Sequence, residues 1–362
     1  MDDLVRICFV VPSLSSGGAE RVVSVLASQL ARDGYSIAII KYFDTMRDYP
    51  IDNRVQVLCV AGGDEKKYHS IPFIPKIKKL RELLEKTNAQ YVVPFLPHVS
   101  VHTFLAGLGL NIKWIQTIRN APNVSPASRP FRYLRNALVA ISYRTFVQTE
   151  SQKVYFPTWL HKKIFVLPNP VSDTMFFIEH RYTKSIKKIV SVGRLSEQKN
   201  FKMLILSVVK VHSLGKDIEL KIYGEGELKY QLQKYIDSLG CKNYCSLCGR
   251  SENIASILAE SDLFVLSSNY EGMPNALMEA MTVGLPCIAT DCETGPAELI
   301  NSERGILVRV GDVEAMTAAI CRMVDDPHMA NCMGDKAKSF MRENYSQKII
   351  AKQFVNEIVY GG

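Results

Sequence analysis

The chain has 362 residues, of which 47% are hydrophobic and 22% are charged. These are ordinary values for a folded protein, so they exclude a disordered chain, and the length suits two domains rather than one. The net charge of +8 is unevenly distributed: residues 1–170 contain 22 Lys and Arg against 12 Asp and Glu, whereas residues 171–362 contain 22 against 24. The basic first half suggests an anionic partner, such as a membrane surface, a diphosphate-bearing substrate or nucleic acid.

The beginning of the chain is acidic and leads directly into a strand pattern, so no signal peptide is visible and we expect a cytoplasmic protein. The least polar long stretch, residues 91–112, is interrupted by two prolines and two histidines. It predicts a buried strand, a loop and a helix rather than a membrane span. The nine cysteines are expected to be reduced, and the cluster Cys241, Cys245 and Cys248 lacks a fourth ligand at zinc-finger spacing, so no structural metal is predicted.

In the first half of the chain, strand patterns alternate with helix patterns, as in a doubly wound α/β domain. The continuous apolar run Val5–Val11 is typical of a central parallel strand, and a loop of small residues connects it to a helix from about Ala19 to Arg32. Further strands are predicted at 36–42, 55–60, 89–94, 113–118, 145–148 and 163–166.

A second series of the same kind begins at Lys187–Gly193. Its further strands are predicted at 218–223, 244–247, 263–267 and 286–290. From Val313 the pattern is helical to the end of the chain.

The two series are joined at Leu167–Val171, where two prolines stiffen the connection, and the polar residues up to Ser185 continue it. The sequence therefore predicts two Rossmann-like domains that face each other across a cleft. We expect them to span residues 1–170 and 171–345, with a last helix at 346–362 that returns to the first domain.

Doubly wound domains bind ligands at the carboxyl ends of their strands, so the loops at those ends contain the candidate site. Gly17-Gly18 opens the first helix and would let the backbone approach a ligand, although a mere tight turn explains the pair equally well. Arg194 and Lys199 follow the first strand of the second domain. They fit a clamp for a diphosphate, but ordinary surface cations are an equally good explanation. Glycines also end the strands at Tyr223–Gly226 and Cys248–Arg250.

The segment Glu271–Ala280 places one carboxylate before an apparent helix start and a second, Glu279, two turns inside the helix. Pro274 suits the first helical position, and the N–H groups of that turn would form an anion site for a phosphate. Carboxylates beside a phosphate repel it unless they accept hydrogen bonds from hydroxyls, so the segment fits a nucleotide sugar, with Glu279 on the ribose and Glu271 on the transferred sugar. A glutamate pair at this spacing arises by chance about once in a chain of this length, so the interpretation depends on its context.

Taken in order, these segments resemble a GT-B-fold retaining glycosyltransferase of family four, the glycosyl transferases group 1. The resemblance covers nearly the whole chain. In the family's order, the matching segments are 17–21, 167–170, 191–195, 199–200, 223–226, 249–250, 271–279 and 284–286. The sequences of Glu271–Ala280 and Thr294–Glu298 are most similar to those of enzymes that assemble bacterial lipid-linked glycans, capsule or O-antigen.

The resemblance implies a role for each matching residue. Arg194 and Lys199 would bind the donor diphosphate and stabilise the leaving nucleotide, and Glu271 would meet the donor sugar. Gly249 and Arg250 would border the nucleobase. The other residues implied in donor binding are Gly17, Gly18, Asn169, Glu225, Gly272, Met273, Pro274, Asn275 and Glu279.

One position departs from the family's pattern. Many members carry a His after a strand of the N-terminal domain, where this chain has Thr117-Ile118-Arg119-Asn120. Arg119 would then replace the His in the catalytic set and hold an anionic group, such as the acceptor's phosphate or a carboxylate. His98 and His102 lie at a strand-to-helix junction, where a structural role is the simpler interpretation and a place in the cleft is the alternative.

The resemblance implies retention at the anomeric carbon, with attack from the face that the nucleotide leaves. Cations would take the place of a metal, since no D-x-D motif occurs at an expected turn, so we expect an enzyme without metal or cofactor. The expected donor is a UDP-sugar that carries a hexose or N-acetylhexosamine, and the expected acceptor is a polyprenyl-diphosphate-linked saccharide. A GDP-mannose-dependent mannosyltransferase is the alternative within the class, and a sugar-nucleotide epimerase or a non-catalytic binding module is the alternative outside it.

The basic residues of the first half suggest where such an acceptor would bind. Residues Lys76–Lys86 predict a helix with aliphatic residues on one face and cations over the remainder, and a second stretch, Arg119–Arg144, has no acidic residue. These cations either are simply solvated or dock to an anionic bilayer on the inner face of the cell membrane. No nucleic-acid partner is expected, because aromatic residues do not interleave with the cations. The acceptor and membrane surface is assigned to Lys76, Lys78, Lys79, Arg81, Arg129 and Arg132.

Overall fold

A computed structural model of the chain describes residues 4–15, 17–46 and 48–361. The acidic residues at the start of the chain and Ser16 of the predicted first loop lie outside the described residues. The chain divides into two compact units. The first unit comprises the residues up to Pro170 together with Gln347–Gly362, and the second comprises Val171–Ser346.

The first unit is built on a seven-stranded parallel sheet with the strand order β3-β2-β1-β4-β5-β6-β7. All seven predicted strands are confirmed, with ends that differ by at most two residues. The strands are β1 (Arg6–Val11), β2 (Ser36–Lys41), β3 (Gln56–Cys59), β4 (Tyr91–Pro94), β5 (Lys113–Thr117), β6 (Arg144–Val147) and β7 (Ile164–Val166).

Helices cover both faces of this sheet. They are α1 (Gly18–Arg32), α2 (Glu65–Ser70), α3 (Phe73–Thr87), α4 (Pro97–Gly107), α5 (Arg129–Ile141), α6 (Glu150–Val154) and, at the end of the chain, α14 (Gln347–Val355). Phe9 of β1 packs in the core under α1 and α14, whereas the next residue, Val10, packs in the core under α3 and α4. Since successive strand residues point to opposite faces, burial of both faces explains the unbroken apolar run of β1.

The last helix, α14, belongs to the core of the first unit. The ring of Phe354 lies 5.9 Å from the ring of Phe9, and the buried side-chain amide of Gln347 donates to that of Gln29 at 3.0 Å. Residues 91–112 form β4 and α4, as predicted, and none of the described helices is long and apolar enough to cross a membrane.

The second unit contains a six-stranded parallel sheet with the order β10-β9-β8-β11-β12-β13. Its strands are β8 (Lys188–Val192), β9 (Glu219–Tyr223), β10 (Cys245–Gly249), β11 (Leu263–Leu266), β12 (Cys287–Thr290) and β13 (Ile306–Val308). Its helices are α7 (Phe201–Ser213), α8 (Lys229–Ser238), α9 (Ile254–Ala259), α10 (Asn275–Val283), α11 (Pro296–Leu299), α12 (Val313–Asp325) and α13 (Pro327–Asn344). The sequence missed β13 because three residues are too few to show a strand pattern.

The predicted connection between the two series is too long. Residues Asp173–Phe177 form a 3-10 turn that buries Met175 and Phe176 in a core of the second unit. The prediction of a polar connector up to Ser185 is therefore wrong over this segment, because its apolar residues pack as part of the second unit.

Candidate functional site

The loops after β8 and β11 are joined at the carboxyl edge of the second sheet, where doubly wound units bind ligands. The hydroxyl of Ser267 donates to the carbonyl of Lys199 at 2.8 Å, and the backbone N–H of Asn269 donates to the carbonyl of Gln198 at 2.7 Å. The side-chain amides of Asn200 and Asn269 are also bonded, at 2.9 Å. These bonds fix the two loops relative to each other, so the side chains that they carry are held in a defined geometry.

Lys199 and Glu271, which the sequence assigns to different parts of the donor, form a buried ion pair. Lys199 Nζ lies 2.6 Å from Glu271 Oε1, and the side chains are only 15% and 7% exposed. The hydroxyl of Ser268 donates to the same oxygen at 2.6 Å, and Gln198 Nε2 lies 3.4 Å from Glu271 Oε2. The carboxylate is therefore held by a cation, a hydroxyl and an amide, and removal of the cation leaves a buried charge without compensation.

The glycines after β9 are required by the packing of one loop on another. Gly224 has a φ of +143°, and a Cβ there would lie 1.9 Å from the carbonyl oxygen of Gly193. A Cβ on Gly226 would lie 2.3 Å from the carbonyl oxygen of Leu195. The Leu195 N–H in turn donates to the Glu225 carbonyl at 3.0 Å. The loops after β8 and β9 thus lie against each other, which explains both glycines without a ligand.

Four further predicted donor residues lie at this edge of the sheet. Arg194 is 76% exposed and forms a 3.4 Å ion pair with Glu227, and Glu225 pairs with Lys229 at 3.0 Å. Gly249 ends β10 with a φ of +71°, and Arg250 follows it on the surface. Exposed ion pairs contribute little free energy, so Arg194 can leave Glu227 for a stronger anion at little cost.

The predicted phosphate site at α10 begins one residue later than expected. Pro274 has an extended ψ of 102° and precedes the helix, so its predicted place as the first helical residue is wrong and Asn275 has that position. The correction has a structural reason in the loop after β12: a Cβ on Gly295 would lie 2.3 Å from the Gly272 carbonyl oxygen, and the Thr294 hydroxyl donates to the Glu271 carbonyl. This loop shapes the turn that enters α10. The N–H groups in the first turn of any helix have no acceptors within the helix, and the binding of a phosphate at this turn stays a prediction.

Two residues of the predicted donor site are buried beside this turn. Met273 packs in the core, and Glu279 is buried in the second turn of α10. Burial of a carboxylate is costly unless the carboxylate is hydrogen-bonded or paired. The assignment of Glu279 to the ribose stays a prediction.

In the first unit, Arg119 and Asn169 belong to one network. Arg119 follows β5, donates to Asn169 Oδ1 at 3.2 Å and lies 4.3 Å above the ring of Phe95. Gln148 Nε2 donates to the same oxygen at 2.8 Å. Burial lowers the pKa of Arg119 to about 9, so the guanidinium remains charged at neutral pH. The sequence missed Gln148, although it ends a predicted strand at the carboxyl edge of the sheet.

The glycine pair at α1 makes a tight local turn. Gly17 has a φ of +141°, and a Cβ there would lie 2.3 Å from Oε2 of Glu20. Glu20 is buried, and this burial raises the pKa of its carboxyl group. Gly18 is the first residue of α1. The positive φ is sufficient to explain Gly17, and the approach of these glycines to a phosphate stays a prediction.

His102, in the middle of α4, is held by contacts within the fold. His102 Nδ1 lies 3.2 Å from the hydroxyl of Tyr42, and the two rings stack at 5.8 Å. Burial lowers the pKa of His102 to about 4, and the charges of His98 and Lys76 act in the same direction. His102 is therefore neutral at pH 7, which favours the structural interpretation over a cationic role.

The basic surface of α3 is smaller than predicted. The helix begins at Phe73, and Lys76 Nζ lies 4.2 Å above the ring of Tyr68. Lys79 pairs with Glu82 at 3.0 Å, while Lys78 is exposed. The assignment of Arg81 to the membrane surface is corrected, because its guanidinium donates to the carbonyls of Ala106 and Leu108 and so caps the end of α4.

The second predicted basic stretch is largely internal, which corrects its assignment as a cationic surface. Arg132 donates to the carbonyls of Pro126 and Ala127, and buried Arg135 donates to the carbonyl of Pro122. Buried Arg144 lies 3.7 Å from Glu357. Arg129, at the start of α5, is exposed as predicted. The spacing of arginines along the sequence does not show which of them hold carbonyls inside the fold.

The cysteines all carry free thiols, and Cys241 and Cys245 are buried. Within residues 4–15, 17–46 and 48–361, no group of three or more His, Cys, Asp or Glu side chains is arranged to hold a metal ion.

Comparison with known proteins identifies relatives along nearly the whole chain. The family described as "Glycosyl transferases group 1" matches residues 174–340. A relative from Campylobacter jejuni, N-acetylgalactosamine-N,N'-diacetylbacillosaminyl-diphospho-undecaprenol 4-alpha-N-acetylgalactosaminyltransferase, is 32% identical over 348 residues, which cover 90% of this chain and 92% of the relative. A second one, GalNAc-alpha-(1->4)-GalNAc-alpha-(1->3)-diNAcBac-PP-undecaprenol alpha-1,4-N-acetyl-D-galactosaminyltransferase, also from C. jejuni, is 26% identical over 343 residues, covering 92% and 93% of the two chains.

A similar solved structure is that of Anabaena HepE in complex with UDP-glucose. It has a TM-score of 0.81, covers 98% of this chain and 99% of its own, and is 17% identical in sequence. At this identity the likeness shows a shared fold, and it confirms the fold expected from the sequence.

Proposed function

The chain belongs to the glycosyl transferases group 1, and we propose that within this family it moves a hexose or N-acetylhexosamine from a UDP-sugar to a polyprenyl-diphosphate-linked saccharide, with retention at the anomeric carbon. Two relatives named for transfer to undecaprenyl-diphosphate-linked saccharides support the acceptor. A similar fold that holds UDP-glucose supports the donor. The reaction belongs to bacterial cell-surface glycan assembly.

The buried pair Lys199–Glu271 is the observation that carries this proposal. It places a cation and a carboxylate 2.6 Å apart, held by loops from two strands at the ligand-binding edge of the sheet. A diphosphate requires cations, and the hydroxyls of a sugar require acceptors. The pair therefore offers a binding partner for each part of a nucleotide sugar: the cation for the diphosphate and the carboxylate for the sugar hydroxyls. The entrance to α10 follows Glu271 directly along the chain.

The chemistry follows from the charges that develop during transfer. The bond between C1 of the sugar and the β-phosphate oxygen breaks, and its electron pair goes to the leaving UDP. Lys199, Arg194 and the first turn of α10 stabilise this negative charge. The acceptor hydroxyl forms the new bond to C1 from the same face, and its proton goes to the departing phosphate. Glu271 orients the sugar hydroxyls, and no covalent intermediate is needed.

We assign the acceptor side of the reaction to the first unit. Arg119, held by Asn169, is a cation that would meet an anionic group of the acceptor. Lys76 and Lys78 on α3, together with Arg129 on α5, would attract an anionic bilayer and the diphosphate of the lipid. The protein would then act as a peripheral protein on the cytoplasmic face of the cell membrane. Charge reversal of Lys76, Lys78 and Lys79 tests this, since it should weaken vesicle binding at low salt and unchanged binding would contradict it.

The proposed reaction is independent of metal ions and cofactors. Lys199 and Arg194 supply the positive charge that a divalent cation supplies in other transferases. Turnover in the presence of EDTA tests this directly: the proposal predicts an unchanged rate, and a loss that Mg²⁺ or Mn²⁺ restores would contradict it.

The experiment for the function is a panel of UDP- and GDP-sugars incubated with a polyprenyl-diphosphate-linked saccharide, with nucleotide release and product anomer measured together. Release from a UDP-sugar that depends on the acceptor, with an α-product from an α-donor, is the expected result. Use of GDP-mannose alone would identify the mannosyltransferase. Conversion of the donor without acceptor would indicate an epimerase, and binding without any turnover would indicate a silent module.

A further inference from the structure

Helix α5 presents an apolar stripe on the side that faces away from the core. Its inward side buries Leu138 and Val139. On its outward side Tyr133 is 76% exposed and Ile141 is 58% exposed. The six exposed residues that form this α5 face are Pro130, Phe131, Tyr133, Leu134, Ala137 and Ile141.

The α5 face differs from an ordinary helix surface. A surface helix usually directs its polar residues outward, whereas here positions 130, 134, 137 and 141 form one continuous outward stripe without a charged side chain. Single exposed apolar residues need no explanation, but a contiguous set marks an interaction surface. Helix α5 is thus apolar on two opposite sides, and only one of them is used by the fold.

The apolar surface continues onto the neighbouring turn. Residues Thr158–Lys163 form a 3-10 turn that packs against α5, and Lys163 Nζ donates to the carbonyl of Ala140 at 2.8 Å. Trp159 in this turn is 64% exposed. Tyr155, also exposed, lies 5.4 Å from the guanidinium of Arg135 on α5. The surface therefore combines aliphatic residues with a Trp and two Tyr, which are enriched where an apolar phase meets water.

The charges around this surface select an anionic partner. Residues 86–149 contain no Asp or Glu but seven Lys or Arg. Arg129 at the start of α5 and Lys162 in the neighbouring turn are exposed, whereas Arg132 and Arg135 hold backbone carbonyls. A second copy of the chain, docked by twofold symmetry, would bring this positive surface against itself. An anionic leaflet would instead neutralise it.

We propose that the α5 face inserts into the anionic leaflet of a phospholipid bilayer and is the apolar anchor of the protein. Helix α5 would lie in the plane of the interface, with Leu134 and Ile141 below the headgroups and with Tyr133 and Trp159 at their level. This deepens the proposed function and rests on it, because a polyprenyl-diphosphate-linked acceptor resides in such a bilayer. The cations of α3 contribute long-range attraction that salt screens, whereas the α5 face contributes the part of binding that persists at high salt.

The first test uses the full chain and vesicles of equal parts phosphatidylcholine and phosphatidylglycerol. The double variant Tyr133→Glu/Ile141→Glu should lower vesicle partitioning by about tenfold or more at both low and high salt. The reason is that two apolar side chains that insert into the bilayer are replaced by charged ones. Both side chains are exposed, so an unchanged thermal transition is expected. Tyr230→Glu, at a 69% exposed tyrosine of α8, is the matched control and should bind as the wild type does. Wild-type partitioning of the double variant would overturn the proposal.

The second test reads insertion directly. Trp159 is exposed and Trp114 is buried, and they are the two tryptophans of the chain, so quenching by lipids brominated in the acyl chain near the headgroup reports on Trp159. Bound wild-type protein should be quenched and Trp159→Phe should not. Bound protein without quenching would overturn the proposal. So would a wild-type dimer that the double variant makes monomeric without a change in vesicle binding, since the α5 face would then be covered by a second copy.

A third measurement separates this proposal from the proposed function. With a short-chain, water-soluble acceptor analogue, the double variant should release nucleotide at the wild-type rate, whereas with the acceptor in vesicles its rate should fall. Equal loss with both acceptors would overturn the anchoring role. If the wild type turns over no donor yet inserts Trp159 into vesicles, the proposed function fails and the anchor stands.

Discussion

The carboxyl edge of the second sheet and the outer helices of the first unit differ in how they treat polar and apolar groups. The second unit buries an ion pair, Lys199–Glu271, and fixes it with hydrogen bonds between loops. The first unit exposes aromatic and aliphatic residues on α5. One region therefore fixes its charged groups in place, as the proposed donor site requires, whereas the other leaves apolar side chains uncovered, as the proposed membrane anchor requires.

The largest expected effect is on the buried pair. Lys199→Ala should lower kcat/KM by about a hundredfold to a thousandfold, because the cation that we propose to stabilise the leaving diphosphate is lost. Lys202→Ala, at an exposed lysine of α7, is the matched control and should leave the rate unchanged. A wild-type rate in Lys199→Ala would remove the pair from the mechanism.

The rigidity of the donor loops can be tested through their glycines. Gly224→Ala should destabilise the protein by about 2 kcal/mol more than Gly215→Ala, because a Cβ at 224 collides with the Gly193 carbonyl whereas at 215 it meets nothing within 4 Å. The φ values are +143° at Gly224 and +80° at Gly215, so an Ala also strains the backbone at both positions, and more at 224. The free energy of unfolding from denaturant titration measures this difference. Equal losses would mean that the loops move apart easily.

If the first unit binds the acceptor and the second unit binds the donor, a change at Arg119 should affect the acceptor alone. Arg119→Lys should lower acceptor-dependent turnover by about tenfold, since the planar guanidinium that bonds Asn169 is lost, but should leave the affinity for UDP unchanged. Isothermal titration with UDP and a nucleotide-release assay measure the two quantities. A parallel loss of UDP affinity would mean that Arg119 acts on the donor and not on the acceptor.

The smallest expected effect is the pH dependence of the first unit. The pKa of His102 is lowered by burial from its usual 6.5 to about 4, so the folded protein binds fewer protons than the unfolded chain between these values. Stability is therefore complete above pH 6.5 and is lost as the pH falls, by about 1 kcal/mol between pH 7 and pH 5.5. His102→Gln keeps a group that can bond Tyr42 but does not titrate, so its Tm should fall less over this range. An identical fall in both proteins would show that His102 does not contribute.

The sequence predicted every strand except β13, and the order of the loops, because apolar runs and glycine turns are local signals. It did not predict that Lys199 and Glu271 pair, since the two residues are far apart in the chain and their contact depends on how the loops after β8 and β11 meet. Ser268 and Thr294, which hold Glu271, carry no distinctive pattern of their own. Such contacts are set by tertiary packing, which no local periodicity encodes.

The surface was harder to predict than the core. The arginines of residues 119–144 indicate a basic surface, yet Arg135 and Arg144 are buried and serve the fold. The apolar residues of α5 have helical spacing on two sides, and spacing alone cannot tell which side faces the core. Pro274 shows the same limit at a helix end, since the approach of Gly295 decides that the helix begins at Asn275.

The most direct measurement is the affinity of UDP and of the UDP-sugar for the wild type, Lys199→Met and Glu271→Gln, determined by isothermal titration. If Lys199 meets the diphosphate and Glu271 the transferred sugar, Lys199→Met weakens both ligands by about tenfold or more, whereas Glu271→Gln weakens the UDP-sugar and leaves UDP unaffected. Unchanged affinities in both variants, or equal losses for both ligands in Glu271→Gln, would contradict this assignment of the buried pair.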